Sequence, residues 1–463
     1  MSVETIFEAE ANGPGPGRYL QGNFAPVQKE VTALDLPVTG SLPPELNGRL
    51  LRNGPNPYGP APASHHWFVG DGMVHGIELR EGRAVSYRNR WVRTATLANR
   101  SPFEDPGGPA EVSPSGENVA NTNVIGHGGN VLALVEMSLP HCLTPDLETI
   151  GRFDFGGRLT TSMTAHPKVD PVTGELVFFG SSAFPPYLTY HVADATGALV
   201  KSEAIEAKGP SMFHDFAVSA RHVVFFDLPV VLDLDLVGTG TMPFSWDEGY
   251  GARVGVLPRS GTGADVRWFE VDPCYVFHPL NAFDDGETVV VDVVRYNRLF
   301  DAGHTGPWEP GVTTTLDRWT IDLTAGTVRE ERLDDRPQEF PRVDERLAGH
   351  RHRYGYVAEL GPTSEGTVTP GSNLVKHDLV DQSSQIHPLG AGRAASEGVF
   401  VPSSPDSGED EGYLLTVVYD ASSDSSELVV IDARDFGAAP VARVHLPQRV
   451  PFGFHGNWVP DPA

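Results

Sequence analysis

The chain has 463 residues, 40% of them hydrophobic and 21% charged, which is a globular composition. Its formal net charge of −27 repels nucleic-acid phosphates and anionic headgroups, and this excludes a nucleic-acid partner. With only Cys142 and Cys274 it has neither a disulfide framework nor a thiolate metal site, so the expected compartment is reducing and cytoplasmic.

The N-terminal stretch MSVETIFEAEANGPGPGRYL lacks a basic start followed by an apolar run and is not read as a signal peptide. No segment approaches the ~18 consecutive apolar residues of a membrane span. In chain order, RNGPNP (52–57) reads as a rigid turn and Asp71-Gly72 as a tight hairpin. Strands are predicted over 83–92, 130–137, 175–180, 222–230, 287–296, 413–420 and 427–433, each β-branched or aromatic-rich and bounded by turn signals. Residues 342–349 make at most a short helix, and SSPDSGEDEG (403–412) reads as an exposed loop. The 50 Gly and 40 Pro residues are scattered along the chain, as many short turns require. No clean repeat and no dividing linker is visible. These features predict one all-β domain spanning 1–463, compatible with a degenerate propeller carrying long loops.

Seventeen histidines are present. His65, His222, His304, His350, His352, His377, His387 and His445 lie in polar or turn-like surroundings and read as ordinary; His75 and His127 read as hydrogen-bonded scaffold. Four share a local grammar: His166 in MTAHPKVDP, His214 in SMFHDFAV, His278 in YVFHPLNAF and His455 in FGFHGNWV. Each follows a small or aromatic residue and precedes Pro, Asp or Gly. They stand 48, 64 and 177 residues apart, and the first two intervals approximate one propeller blade each. Neutral imidazoles brought together in this way can bind a divalent transition metal, although aromatic-flanked structural histidines are also common.

These four contexts, in this order, resemble the metal-binding histidines of the carotenoid cleavage oxygenases. Further blocks carry the resemblance along most of the chain: LNGRLLRNGPNPYGP (46–60), HHWFVGDGMVHGIEL (65–79), NTNVIGHGGNVLALVE (121–136), GARVGVLPR (251–259), QEFPRVD (338–344) and SEGVFVP (396–402). The resemblance implies a seven-bladed β-propeller with a dome of loops and short helices over the metal-bearing face. It implies Fe(II) held by His166, His214, His278 and His455, with Glu136, Glu339 and Glu397 behind the ligands. A carboxylate that accepts the free ring N–H of a metal-bound histidine fixes its tautomer and raises its basicity. Asp215, next to His214, is expected to orient backbone rather than to act in catalysis.

The implied reaction is oxidative cleavage by O2 of a C=C bond in a lipophilic apocarotenoid or carotenoid, giving two carbonyl products. The alternative is cleavage of a stilbene Cα=Cβ bond at the same iron. The stilbene-cleaving branch places a lysine just before the third block's glutamate, where this chain has Val135, and this lowers that alternative. Retinoid isomerisation or ester hydrolysis has no residue in its favour, and a propeller used only as a binding platform would need neither the four histidines nor the three glutamates. Trp67, Phe68 and Phe277 are candidate tunnel aromatics that read equally as core. Nothing in the sequence sets an oligomeric state.

Membrane contact is expected to be weak or transient, because Asp233 and Asp235 interrupt the apolar run VVLDLDLVGTGTMPF (230–244). Flotation with neutral liposomes tests this: most of the protein should stay behind, and strong, reversible co-flotation through this segment would refute it.

Overall fold

A computed structural model describes residues 1–9, 17–113, 116–237, 242–301, 307–308, 311–362 and 368–461. Seven antiparallel sheets of four to six strands, with one additional two-stranded ribbon, form the blades of a seven-bladed β-propeller. Among the described residues the α-helix Ala95–Ala98 and five short 3-10 turns are the whole helical content, and all lie between strands. By contacts the chain divides into two compact units: Met1–Thr160 with Ser372–Leu374 and Gln385–Ala463, and Thr161–Gly371 with Val375–Ser384.

In the first unit the sheet order is Ser2–Glu8, Lys29–Leu34, Arg83–Trp91, Gly72–Arg80, Gly48–Pro55, and then the last strand of the chain, Gly456–Pro460. A second closure pairs Val38–Gly40 with Ala442–His445. Early and late segments are therefore stitched together by two backbone ladders. One core lies beneath them, with Leu50, Ile77, Tyr87, Leu415, Leu428 and Val444 among its buried members.

The segment before the last strand is held tightly. Phe454 N–H donates to the Asn53 carbonyl (3.0 Å), Asn53 N–H to the His455 carbonyl (2.9 Å), and His455 N–H to the Thr122 carbonyl (3.1 Å). This approach needs glycine on both sides, since a Cβ on Gly54 would sit 2.4 Å from the Gly453 Cα. RNGPNP is thus mostly strand: Gly48–Pro55 pairs with Gly72–Arg80 from Gly48↔Leu79 to Pro55↔Gly72.

That pairing corrects the hairpin expected at Asp71-Gly72. Gly72 already belongs to a strand, and a Cβ there would lie 2.2 Å from the Ala120 carbonyl oxygen. Its glycine serves close backbone approach, while Asp71 is buried, accepts from Tyr58 N–H (2.8 Å) and pairs with Arg100.

The second unit contains consecutive four-stranded sheets starting at Lys168–Val169, Phe216–Val218 and Tyr275–Asp285, and a further sheet starts at Gln338–Arg342. Phe216, Phe225, Phe179 and Tyr190 fill the space between the first two. The predicted strands are present as Arg83–Trp91, Asn130–Leu134, Leu176–Ser181, Thr288–Tyr296, Gly412–Asp420 and Ser425–Asp432. The 222–230 run breaks into His222–Asp227 and a separate strand starting at Val230, because Leu228-Pro229 turns the chain. Residues 345–347 form one 3-10 turn, and 403–411 is the loop between Val399–Pro402 and Gly412–Asp420.

Candidate metal centre

Three of the four grammar histidines stand just before an edge strand of their sheet. His166 precedes Lys168–Val169, His214 precedes Phe216–Val218, and His455 directly precedes Gly456–Pro460. His278 lies inside Tyr275–Asp285, where the pairing register shifts between Val276 and Pro279. A bulge of this kind re-aims a side chain out of the ladder, and the following Pro279 lacks the N–H that a regular ladder would use. The residue after each histidine thus sets where the strand begins or buckles.

In the second unit three imidazoles meet. Ring centroids are 4.4 Å apart for His166 and His214, 5.0 Å for His166 and His278, and 5.1 Å for His214 and His278. The Nε2 atoms of His214 and His278 are 3.3 Å apart. His166, His214 and His278 each offer a ring nitrogen to a shared ion. The donor set fits a transition-metal ion, and imidazole suits iron among others.

The tautomers of two rings are fixed by carboxylates. His278 Nδ1 lies 2.7 Å from Glu339 Oε2, and His455 Nδ1 lies 3.0 Å from Glu397 Oε1. Both acids are buried. Acceptors at Nδ1 put the ring proton there and leave the Nε2 lone pair to a metal. Glu397 also accepts from Gly456 N–H through Oε2 (2.9 Å). Glu339 accepts from the Tyr296 hydroxyl (3.0 Å) and from Phe340 N–H. Burial alone would push the Glu339 carboxyl up, but His278, the Phe340 amide and Tyr296 outweigh it and hold it below the usual carboxylate range. The same burial, with Glu339 beside it, pushes the Tyr296 hydroxyl well above its ordinary value, so it stays a donor.

Phe340 adopts φ +55°, a strained conformation for a bulky residue. That conformation turns its N–H onto Glu339 and stacks its ring on His278 at 5.8 Å. Glu136 follows Asn130–Leu134 in a turn and accepts from the Thr122 hydroxyl at 3.4 Å. His166 Nδ1 is 3.7 Å from Asp215 Oδ2. Asp215 itself accepts from Phe216 N–H (2.7 Å) and pairs with Lys168 (2.8 Å), so it orients backbone as expected.

The other expected residues fall into scaffold. His75 Nδ1 bonds the Tyr87 hydroxyl (2.8 Å), His377 bonds Gln338 (2.7 Å), and His222 bonds Asp284 (2.6 Å). His304 lies outside the described residues. Trp67 is core, donating to the Phe452 carbonyl at 3.1 Å and packing on Phe454 at 4.7 Å. Phe68 is half-buried against Phe454, and Phe277 is buried edge-on against His214 at 4.9 Å. Phe452 and Phe454 pack with Trp67 and Phe24 on the approach to His455, and Trp458 packs on a different cluster. Sequence reasoning missed Tyr296, Thr122 and Arg52. Each sits in a strand or block where its residue type is unremarkable, and only the fold brings it near a glutamate.

This histidine site on a seven-bladed propeller defines a class of metal-dependent oxygenases. The match is direct: residues 24–460 fit the family described as retinal pigment epithelial membrane protein, and the chain belongs to it. It is 40% identical to the carotenoid cleavage oxygenase of Mycobacterium tuberculosis, over 99% of this chain and all of that one. It is 36% identical to carotenoid 9,10(9',10')-cleavage dioxygenase 1 of Phaseolus vulgaris, over 96% of this chain and 90% of that one. Among solved structures, the lignostilbene dioxygenase of Pseudomonas brassicacearum superposes with TM-score 0.88 at 31% identity, covering 97% of this chain and 100% of that one. A cobalt-substituted Synechocystis ACO superposes with TM-score 0.82 at 29% identity, covering 94% and 97%. The chain is an enzyme, a dioxygenase of this family.

Replacing Glu339 by Gln keeps the shape but removes the anionic acceptor behind His278. Divalent-metal affinity, read by competition with a chromophoric chelator, should fall roughly 10–100-fold. Unchanged affinity would show that Glu339 does not support a metal ligand.

Proposed function

We propose that the chain is a non-haem Fe(II)-dependent dioxygenase that cleaves a C=C bond of an apocarotenoid or carotenoid, with His166, His214, His278 and His455 as the iron ligands and Glu136, Glu339 and Glu397 as the carboxylates behind them. The observation that carries this reading is the meeting of the His166, His214 and His278 rings, with centroids 4.4, 5.0 and 5.1 Å apart, beside two rings, those of His278 and His455, whose Nδ1 is held by a buried carboxylate. The relatives named for carotenoid cleavage, at 40% and 36% identity, support the substrate class.

Iron, when bound, supplies the oxygen chemistry. The overall conversion, R–CH=CH–R′ + O2 → R–CHO + R′–CHO, places both oxygen atoms in the products and needs no external reductant. The protein's part is positioning and exclusion of water. Glu339 and Glu397 keep the proton of His278 and His455 on Nδ1, so each Nε2 remains a donor. Phe277 and Phe340 pack on the rings of His214 and His278 and limit their rotation. A polyene carries no charge, so its binding asks for apolar walls and for no ionic anchor.

A second reading, cleavage of a phenolic stilbene, is supported by the lignostilbene dioxygenase superposition. Val135, an apolar residue in the position where a lysine was expected for a phenol, weighs against it.

For the membrane, no helix among the described residues is long and apolar enough to cross. Within 230–244, residues 238–241 lie outside the described residues; Asp233 caps the turn Leu234–Leu236 and accepts from Ser245 (3.0 Å). Leu234 and Val237 are exposed in this segment. We read it as supporting transient contact only, two apolar side chains set among carboxylates.

We also take residues 1–463 as one domain, because the strand Val368–Asp378 contributes residues to both compact units. Scanning calorimetry should show one unfolding transition, and two separated transitions would refute this.

The decisive assay loads the protein with Fe(II) without air, adds a β-apocarotenal, admits O2 and follows the polyene absorbance, with His455→Ala alongside. Oxygen-dependent bleaching by the parent, abolished in the variant, is the expected result. Iron bound with no bleaching, but turnover of a hydroxystilbene, would transfer the assignment to the second reading.

A further inference from the structure

Arg52 is an unusual residue to find where it is. It lies in the strand Gly48–Pro55 and is only 5% exposed. Its Nε has no hydrogen-bond partner, and among the described residues its guanidinium forms no ion pair at contact distance. A buried charge without direct partners is costly, and a fold keeps one only where another charge compensates it.

That charge is Glu397. Arg52 stands directly opposite Gly456 in the sheet, and Gly456 N–H donates to Glu397 Oε2 while Glu397 Oε1 holds His455. Gly456 puts no side chain in between; a Cβ there would lie 3.4 Å from the Arg52 Cβ. The neighbouring groups leave Arg52 as the cation of this spot. His75, opposite it on the next strand, is kept neutral near pKa 3 by burial and by Arg52 and Arg449. Arg449 is paired with Asp424 at 3.1 Å. Arg52 itself is lowered by burial to about 10, with Glu397 opposing, and so stays protonated at neutral pH.

We propose that Arg52 is a fixed buried cation whose charge biases the candidate iron centre toward its ferrous state. The inference rests on the iron reading above. Glu339 and Glu397, each held on a histidine, bring negative charge to the centre, which favours a trivalent ion. Arg52, opposite Gly456 and beside Glu397, offsets part of that charge. Oxidation adds a positive charge to the centre, and a nearby cation raises the energy of the ferric form more than that of the ferrous form. At an effective dielectric constant of about 20, a nearby buried unit charge shifts such an equilibrium by on the order of tenfold. Arg52 thus acts through Glu397 and the local field, as a positioning residue for charge, and touches no reacting atom.

The test compares the full-length parent with Arg52→Met and Arg52→Lys. Each is loaded with iron, assayed for metal content, poised at a fixed solution potential with redox mediators, and read by EPR for the high-spin ferric fraction. Arg52→Met should bind iron but show a ferric-to-ferrous ratio roughly tenfold above the parent, and Arg52→Lys should stay near the parent. If Arg52→Met does not fold, Arg52→Gln reads the same loss of charge. A neutral variant with the parent's ratio, or a Lys variant shifted as far as the neutral one, overturns the inference while leaving the iron reading standing. A parent that takes up no iron overturns both.

Discussion

A neutral imidazole can lend a metal only one of its two nitrogens, and everything about this site depends on deciding which. The decision is made at His278 by Glu339 and at His455 by Glu397, at 2.7 and 3.0 Å. Once Nδ1 is committed to a carboxylate, Nε2 must face the other way, and the close approach of the His214 and His278 Nε2 atoms follows. Burying a carboxylate for this purpose is expensive, so each is given further donors: Gly456 N–H for Glu397, and Tyr296 with Phe340 N–H for Glu339. The strained backbone at Phe340 is understandable on these terms, because the same φ that costs energy delivers both an amide to Glu339 and a ring to His278.

The propeller solves the problem of delivery. Every blade repeats the same edge strand, so a residue at the start of one such strand has an equivalent at the start of the next. His166 and His214 stand just before that strand in two successive sheets, His278 lies at a bulge near its start in the next, and Glu339 lies near its start in the sheet after them. The spacing of histidines by about one blade is therefore a direct consequence of topology. His455 reaches its place by a different route, carried by the last strand of the chain and fixed by the Gly54–Gly453 contact and three backbone hydrogen bonds.

This explains which features were legible in sequence. The strands, the short turn at 345–347 and the loop at 403–411 follow from local composition, and the histidine grammar follows because Pro, Asp or Gly after the histidine marks where an edge strand starts or bulges. The glutamates carried no such mark: Glu339 and Glu397 owe their roles to residues 61 and 58 positions away, and only resemblance pointed to them. Asp71-Gly72 misled because a glycine demanded by close packing against Ala120 looks, in sequence, like a glycine demanded by a turn. Arg52, Thr122 and Tyr296 were silent for the same reason as the glutamates, since their partners are set by sheet pairing and not by sequence neighbours.

Charge and apolarity are divided between surface and interior. The chain carries 61 acidic side chains against 34 basic ones, so its surface repels anions at large. Its buried carboxylates, by contrast, are each matched locally, Asp292 with Arg318 (2.7 Å), Asp227 with Arg253 (2.8 Å), Glu30 with Arg93 (2.7 Å), and Glu339 and Glu397 with histidines. The scaffold acids meet permanent guanidinium cations, which lock strands together. The two acids at the histidines instead accept from ring nitrogens and backbone amides, Glu339 from His278 and Phe340 and Glu397 from His455 and Gly456. The same residue type therefore staples strands in one place and orients an imidazole in another, according to the donor it meets.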